Sequence, residues 1–325
     1  MTALVTGGTG FLGRHVVAAL RRTGVATIRV LDDLSSWGGG PVPPMPERPD
    51  ELMIGDVRSG RDARAAVEGC DLVVHMAVRC VRLSLSSPAE VDQVNAAGTL
   101  EVALAARAAG ASRFVYVSSS EVYGDAAIDP MGEDHPCRPT TVYGASKLAG
   151  EHYARVVMGD RCAVVRPFNA VGEGAHIGGA AGEVVPRWIA RALRGRPIPV
   201  HGDGAQARDF TYAGDLARGV VLAARCDAIF GTGPLNLCSG RATTMIDLRD
   251  RIARVLDMEV ATAPTPPRPG DLRRQRGSAA RAAALLGREP EVPLDEAIRR
   301  CAGWVRARLD DPWEAETPDE PWRMA

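Results

Sequence analysis

The feature that most restricts the fold is Thr6-Gly7-Gly8-Thr9-Gly10-Phe11-Leu12-Gly13, which follows a strand-like opening at residues 2–6 and runs into a helical stretch at 11–22. Gly8, Gly10 and Gly13 satisfy GxGxxG, and Gly7, Gly10 and Gly13 satisfy GxxGxxG. Glycines at a strand-to-helix turn permit a tight reversal and let the amides of a helix N-terminus approach a pyrophosphate. The same spacing also arises wherever a helix packs closely on a strand, so its meaning depends on its surroundings. The other glycine-rich phosphate loop, GxxxxGK[ST], fails at Arg14-His15, which offers no hydroxyl for magnesium; ATP is disfavoured.

The surroundings favour a dinucleotide. The next strand closes at Asp32, near the offset of roughly 20 residues at which a carboxylate accepts hydrogen bonds from an adenosine ribose. Asp32 would repel a 2′-phosphate and the next basic side chain in sequence is Arg48, so NAD is expected rather than NADP. A third strand ends at Gly55-Asp56-Val57, where Asp56 is a candidate for the adenine amino group, although an aspartate entering a loop is ordinary in itself. Gly7, Gly10, Phe11, Leu12, Asp32, Asp56 and Val57 form the expected cofactor set, with Ala77 of the later Val73-Val-His-Met-Ala-Val78 run as pocket wall. His75 in that run is read as a satisfied structural histidine.

Short β-branched runs at 2–6, 27–31, 51–54, 71–76, 113–117 and 161–166 alternate with helical patterns at 11–22, 61–68, 91–109 and 142–158. This rhythm predicts an α/β fold: a Rossmann-type doubly wound parallel sheet. Beyond residue 167 the rhythm breaks into a Gly-rich stretch and helices near 184–194, 214–225, 246–256 and 293–309. A smaller C-terminal α/β substrate-binding domain is therefore expected from 171–205 and 243–310, with 1–170 as the cofactor domain and 206–242 returning to it. Residues 35–50, rich in Gly and Pro, are expected to be a mobile loop, and 311–325 a loose acidic tail.

Composition excludes several partners. With 39 basic against 40 acidic residues, nucleic acid is not indicated. The seven cysteines contain no CxxC pair, and His135-Pro-Cys137 has no further ligands nearby; no metal is expected, and the thiols read as reduced and packed. No basic and apolar leader precedes the first strand, and the apolar stretch Thr99 to Gly110 is interrupted by Glu101 and Arg107. A cytoplasmic protein without a membrane partner is the expectation.

Two further segments carry chemistry. Val115-Tyr-Val-Ser-Ser-Ser-Glu-Val-Tyr-Gly124 places hydroxyls and a carboxylate just past a buried strand, at the sheet edge where such folds bind ligands. Tyr143-Gly-Ala-Ser-Lys147 puts a phenol and an ammonium four apart on a helix, hence on one face. A cation so placed favours the phenolate and is expected to draw the tyrosine down from its free value of about 10, as a general base requires.

With these segments in view, the sequence resembles the extended short-chain dehydrogenase/reductases, and within them the NAD-dependent epimerase/dehydratase enzymes of nucleotide sugars. The resemblance spans residues 3–310 through GGTGFLG, LDDLS, GDV, VVHMAV, VNAAGTL, VSSSEVYG, YGASK, RPFNAVG, GDGAQARDFTY and RPGD. It implies bound NAD and a UDP- or dTDP-sugar substrate. It also implies a catalytic set in which Ser119 holds the reacting hydroxyl, Tyr143 moves its proton and Lys147 holds the nicotinamide ribose. Asn95 matches a structural asparagine; Asn169, Arg208 and Arg268 resemble the groups that grip the diphosphate, a task suited to forked, permanently charged arginines. A homodimer is implied through helices at 91–110 and 143–158.

Members of the family differ in the fate of a transient 4-keto sugar. Hexose 4,6-dehydratases resemble Thr-Asp-Glu where this chain has Ser119-Ser120-Glu121, so the Asp that helps expel water is missing. UDP-glucuronate decarboxylases resemble Thr-Ser-Glu but add an Arg-Lys-Pro segment, where this chain reads Gln275-Arg276-Gly277, with Arg273, Arg274 or Arg276 as possible substitutes. The 4-epimerases need only Ser, Tyr and Lys. Epimerisation is the favoured expectation, with decarboxylation or an atypical dehydration through Glu121 as the alternative and a non-catalytic NAD sensor as a remote one. Glu121 is either a second acid/base or a loop-capping carboxylate.

Overall fold

The computed structural model describes residues 1–38, 41–179, 181–267, 271–287 and 290–311. Strands β1 (Thr2–Thr6), β2 (Thr27–Asp32), β3 (Glu51–Ile54), β4 (Leu72–His75), β5 (Arg113–Val117) and β6 (Cys162–Pro167) alternate with helices α1 (Phe11–Arg22), α2 (Gly60–Val67), α3 (Pro88–Asp92), α4 (Gly98–Ala108) and α5 (Val142–Met158). The second half adds β7 (Asn169–Val171), α6 (Val184–Leu193), β8 (Ile198–His201), β9 (Ala207–Tyr212), α7 (Ala213–Arg225), β10 (Leu235–Leu237), β11 (Ala242–Thr244), α8 (Met245–Leu256), β12 (Thr262–Thr265), β13 (Arg274–Gln275), α9 (Ala280–Leu286) and α10 (Leu294–Arg306).

Seven parallel strands in the order β10-β6-β5-β4-β1-β2-β3 form the central sheet. All four residues of β4 are buried, as a strand covered on both faces must be. One face is covered by α1 and α7, whose Val16, Val17, Leu20, Leu216 and Val220 pack on Val5, Val30 and Val74. The other is covered by α2, α4 and α5, whose Ala63, Val102, Ala106 and Met158 pack on Leu4, Val73 and Phe114. Each such Val or Leu taken fully out of water contributes about 1.5–3 kcal/mol before entropy is subtracted. The chain leaves β1 toward β2 and β3 and then returns to β4, so the order reverses between β1 and β4. Loops diverging at that point open the crevice in which doubly wound sheets bind ligands.

The smaller lobe joins β7, β9, β11 and β13 in one sheet and β8 with β12 in another, over a core of Trp188, Ile189, Leu248, Ile252 and Ile298. Phe11 of α1 packs into this core, fastening the lobe beside the first glycine turn. Residues 206–242 divide between the two units: α7 and β10 serve the central sheet, whereas β9 belongs to the small one, contrary to the expectation that the whole segment returns. The helix expected over 91–109 is α3 and α4 joined by a π-turn at Gln93–Ala97. The described residues of the 35–50 loop are irregular apart from a short turn at Ser35–Trp37, but that turn is anchored: Trp37 is buried, its indole donates to the Thr9 carbonyl at 3.2 Å and Arg14 lies 4.9 Å over its ring. Among the described residues no helix is long and apolar enough to cross a membrane, and none of the seven cysteines is in a disulfide.

Candidate active site

A cavity of about 670 Å³ occupies the crevice. Its walls bring together Gly7, Gly10, Phe11 and Leu12 after β1, Asp32 at the end of β2, Val57 after β3, Ala77 after β4, Ser119 and Glu121 after β5, Tyr143 and Lys147 on α5, and Asn169 on β7.

The glycine turn is shaped for close approach. Gly7 has φ +68°, and a Cβ there would stand 2.8 Å from the Ala77 Cα; a Cβ on Gly13 would stand 2.1 Å from the Gly7 carbonyl oxygen. The helix that follows starts at Gly10 with no side-chain cap and no acidic residue in its first turn. Its terminal amides and the positive end of its dipole are thus left for an anion. Asp32 forms the far wall, accepting from the Thr9 and Leu34 amides at 2.9 Å each. Burial raises its pKa, and those amides act against the rise. Asp56 lies elsewhere: its oxygens accept from Arg58 at 2.5–3.0 Å, and it is its neighbours Gly55 and Val57 that line the cavity.

The arginine on the cavity wall is Arg79 rather than Arg48. It reaches the pocket because β4 and β2 flank β1, and it donates to Asp33 at 2.9 Å, to Glu90 at 2.8 Å and to the Ser35 hydroxyl. With that charge spent on two carboxylates, the preference for an unphosphorylated ribose still rests on Asp32. Asn95, turned inward by the π-turn, holds the Arg79 backbone at both ends, accepting from its amide at 2.8 Å and donating to its carbonyl at 3.1 Å; its amide also donates to Ser146 at 3.1 Å. His75 bridges the Thr6 and Thr99 hydroxyls at 2.7 and 3.0 Å and is fully buried, as a structural histidine should be.

At the chemical end Ser119 caps the turn Ser120–Val122, accepting from the Glu121 amide at 3.2 Å, and its hydroxyl is hydrogen-bonded to Tyr143. Thr141 caps α5 by accepting from Gly144 at 3.0 Å, which orients the first turn carrying Tyr143. Lys147, one turn on, donates to the Val117 carbonyl at 2.7 Å and lies 4.4 Å over the Tyr116 ring. The expectation that this lysine lowers the tyrosine is not met by the protein's own groups. Burial pushes the Tyr143 phenol up, the Ser119 hydrogen bond only partly opposing, and burial pushes Lys147 down to about 7, with Glu151 opposing. Desolvation disfavours phenolate and ammonium alike.

The expected diphosphate grip is only partly assembled. Asn169 lines the cavity and donates to the Asp209 carbonyl at 3.3 Å. Arg208 does not line it: β13 pairs alongside β9, bringing Asp271 and Leu272 within reach, so the guanidinium donates to the Asp271 carboxylate at 2.6 Å and the Leu272 carbonyl at 2.7 Å. Arg268 lies outside the described residues. Sequence reasoning missed Arg79, and also His176, which lines the cavity with its ring centred 4.5 Å from that of Trp37 and tilted by 38°, and with Glu183 beside it at 3.3 Å. No local spacing marks these residues; only the pairing of distant segments does.

Fold and site together define a Rossmann-type enzyme of the short-chain dehydrogenase/reductase class, with a dinucleotide crevice opening on a Ser/Tyr/Lys set. The chain belongs to the NAD dependent epimerase/dehydratase family, whose model matches residues 3–238. It is 33% identical over 315 residues to the UDP-glucose 4-epimerase of Mycolicibacterium smegmatis, covering 94% of this chain and 99% of that one. It is 29% identical over 330 residues to UDP-glucuronic acid decarboxylase 6 of Arabidopsis thaliana, covering 96% and 91%. The crystal structure of Thermus thermophilus UDP-glucose 4-epimerase in complex with NAD superposes with a TM-score of 0.82 at 30% identity, covering 94% of this chain and 99% of that one. The protein is accordingly an NAD-dependent sugar-nucleotide enzyme, and the uncapped α1 terminus, the glycine turn and Asp32 fit that cofactor.

Proposed function

We propose that the protein is a nucleotide-sugar 4-epimerase acting on a UDP- or dTDP-sugar. The observation that carries this reading is the presence of Ser119, Tyr143 and Lys147 on the wall of the same cavity as Asp32 and the glycine turn, with serine at 120 where a dehydratase would present an acid. Bound NAD supplies reversible hydride transfer at the sugar carbon. Ser119 orients the reacting hydroxyl, Tyr143 takes its proton as the ketone forms and returns it as the ketone is reduced, and Lys147 holds the ribose and favours the phenolate by its charge. Glu121 stands beside Tyr143 and raises its proton affinity.

A hexuronate decarboxylase would need a cation for the sugar carboxylate. Arg273 pairs with Asp203 at 2.8 Å, Arg274 and Arg276 both pair with Asp129 at 2.7 Å, and none of the three lines the cavity. That pairing favours epimerisation over decarboxylation. Incubation with a panel of UDP- and dTDP-hexoses and hexuronates, followed by mass spectrometry, tests the reading. A new sugar of unchanged mass is expected; loss of carbon dioxide or of water as the main product would replace epimerisation by decarboxylation or dehydration. Tyr143→Phe should cut turnover by about a hundredfold or more while NAD stays bound.

We also propose a homodimer through α4 and α5, which pack together and leave Leu104, Tyr153 and Val156 exposed at 47%, 39% and 81%.

A further inference from the structure

Behind the catalytic wall lies a buried charged group that the reaction above does not use. Glu151 sits one turn past Lys147 on α5, and Arg166 sits near the end of β6; their side chains are 3% and 5% exposed. Arg166 grips both carboxylate oxygens, donating from Nε at 2.8 Å and from a terminal nitrogen at 2.7 Å, and Ser118 donates to the same carboxylate at 2.6 Å. The guanidinium lies 4.6 Å over Tyr123, whose hydroxyl donates to Asn236 on β10 at 2.7 Å. A buried pair of this kind is poor evidence for stability, because apolar residues of equal volume do as well. Its place, between the strand end that carries Ser119 and the helix turn that carries Lys147, is the informative part.

Lys147 is the only lysine among the 39 Lys and Arg residues of the chain. Arginine stays charged at any accessible pH, whereas an ammonium can lose its proton when buried. Facing Lys147 are His75 from β4, Tyr116 from β5, Tyr143 on its own helix and Glu151 on the next turn. Beyond Tyr143 stands Glu121, and beyond Glu151 stands Arg166. Burial keeps His75 neutral and pushes the Tyr116 phenol up, so among the described residues Glu151 is the anion that acts on Lys147.

We propose that Glu151 is a positioning residue of the reaction: through Ser118 it fixes the strand end presenting Ser119, and by its charge, locked in place by Arg166, it favours the ammonium form of Lys147. The proposal rests on the roles assigned above to Ser119 and Lys147, but its test does not depend on which sugar is turned over.

Because the chain has one lysine, labelling the holoenzyme with ε-¹³C-lysine gives a single side-chain resonance, whose pH titration reads Lys147 directly. Glu151→Gln should move the Lys147 midpoint down by about one pH unit or more, and Glu151→Asp should recover most of that shift. The alkaline limb of the turnover profile should move down with it. Should the single Gln variant not fold, Glu151→Gln/Arg166→Gln removes the guanidinium left without its carboxylate and should still lower the midpoint, by less than the single variant. A midpoint that matches the wild type in a folded variant lacking Glu151 would overturn the proposal, as would an unperturbed lysine in the wild type. A shift in a protein that epimerises nothing leaves the positioning role standing and removes the epimerase reading instead.

Discussion

Burial governs proton affinity at the catalytic end of this site, whereas at Asp33 and Arg79 the ion pair outweighs it. Tyr143 and Lys147 are both moved toward their neutral forms, which the four-residue spacing in sequence cannot reveal: spacing establishes nearness, but not how far water is excluded. His75 makes the same point with a consequence for stability. Its folded pKa is pushed down to about 3 by burial first and by Lys147 second, against an ordinary value of 6.5. The unfolded chain then binds the extra proton between those values, so the contribution is fully present above pH 6.5 and lost as pH falls toward 3. Lys147, depressed to about 7 from 10.5, gives a slope of the same sign in the higher window, costing most below pH 7 and nothing above 10.5. Urea midpoints should therefore fall between pH 7 and pH 4, and His75→Gln should flatten that fall, by an amount on the order of a few kcal/mol. An unchanged pH dependence in a folded variant would show that His75 is not its source. Arg208 illustrates the opposite limit on sequence reading: its partner Asp271 is 63 positions away, and nothing local foretells the pairing.

Elements built from long local patterns were legible. The first six strands and the helices α1, α2 and α5 fall where β-branched runs, glycine turns and helical periodicity place them, because local patterns of that length outweigh competing conformations. The small-lobe strands β7 to β9 and β11 to β13 run only two to six residues and are held by pairing across distant segments, which leaves no periodic trace. The π-turn at Gln93–Ala97 was equally hidden, since one extra residue per turn changes no spacing that the pattern records. The glycine turn offers the sharpest test at this scale. A methyl at Gly13 would meet backbone at 2.1 and 2.8 Å, from Gly7 and Gly8, so neither neighbour can rotate away. Gly13→Ala should cost about 3 kcal/mol and weaken NAD binding. Gly303→Ala, in exposed helix with nothing near its Cβ, should instead stabilise by about 0.5–1 kcal/mol. Chemical denaturation of the two variants against the parent measures both; equal effects would mean that the turn tolerates the methyl.

At the scale of the whole molecule, strand order does the work: reversing direction between β1 and β4 sets the ends of β1 to β5 around one crevice, and Phe11 binds the smaller lobe to its rim. The exposed Leu104, Tyr153 and Val156 on adjoining helices form the remaining apolar face of α4 and α5. Sedimentation should give a dimer that Val156→Arg converts to monomer with the fold intact; a monomeric parent would remove the dimer proposal. Sequence alone determined the doubly wound class, because alternating runs and a glycine turn are local patterns; Ser119, Tyr143 and Lys147 were expected from the family's motifs, and only the fold brings them to one wall with Asp32. Tertiary structure alone decided that Arg79 reaches the cavity wall, that Asp56 and Arg208 turn to other partners, and that a lone lysine is kept beside a buried carboxylate. Those outcomes depend on which distant segments share a wall and how thoroughly they exclude water, quantities that appear only once the chain has closed on itself.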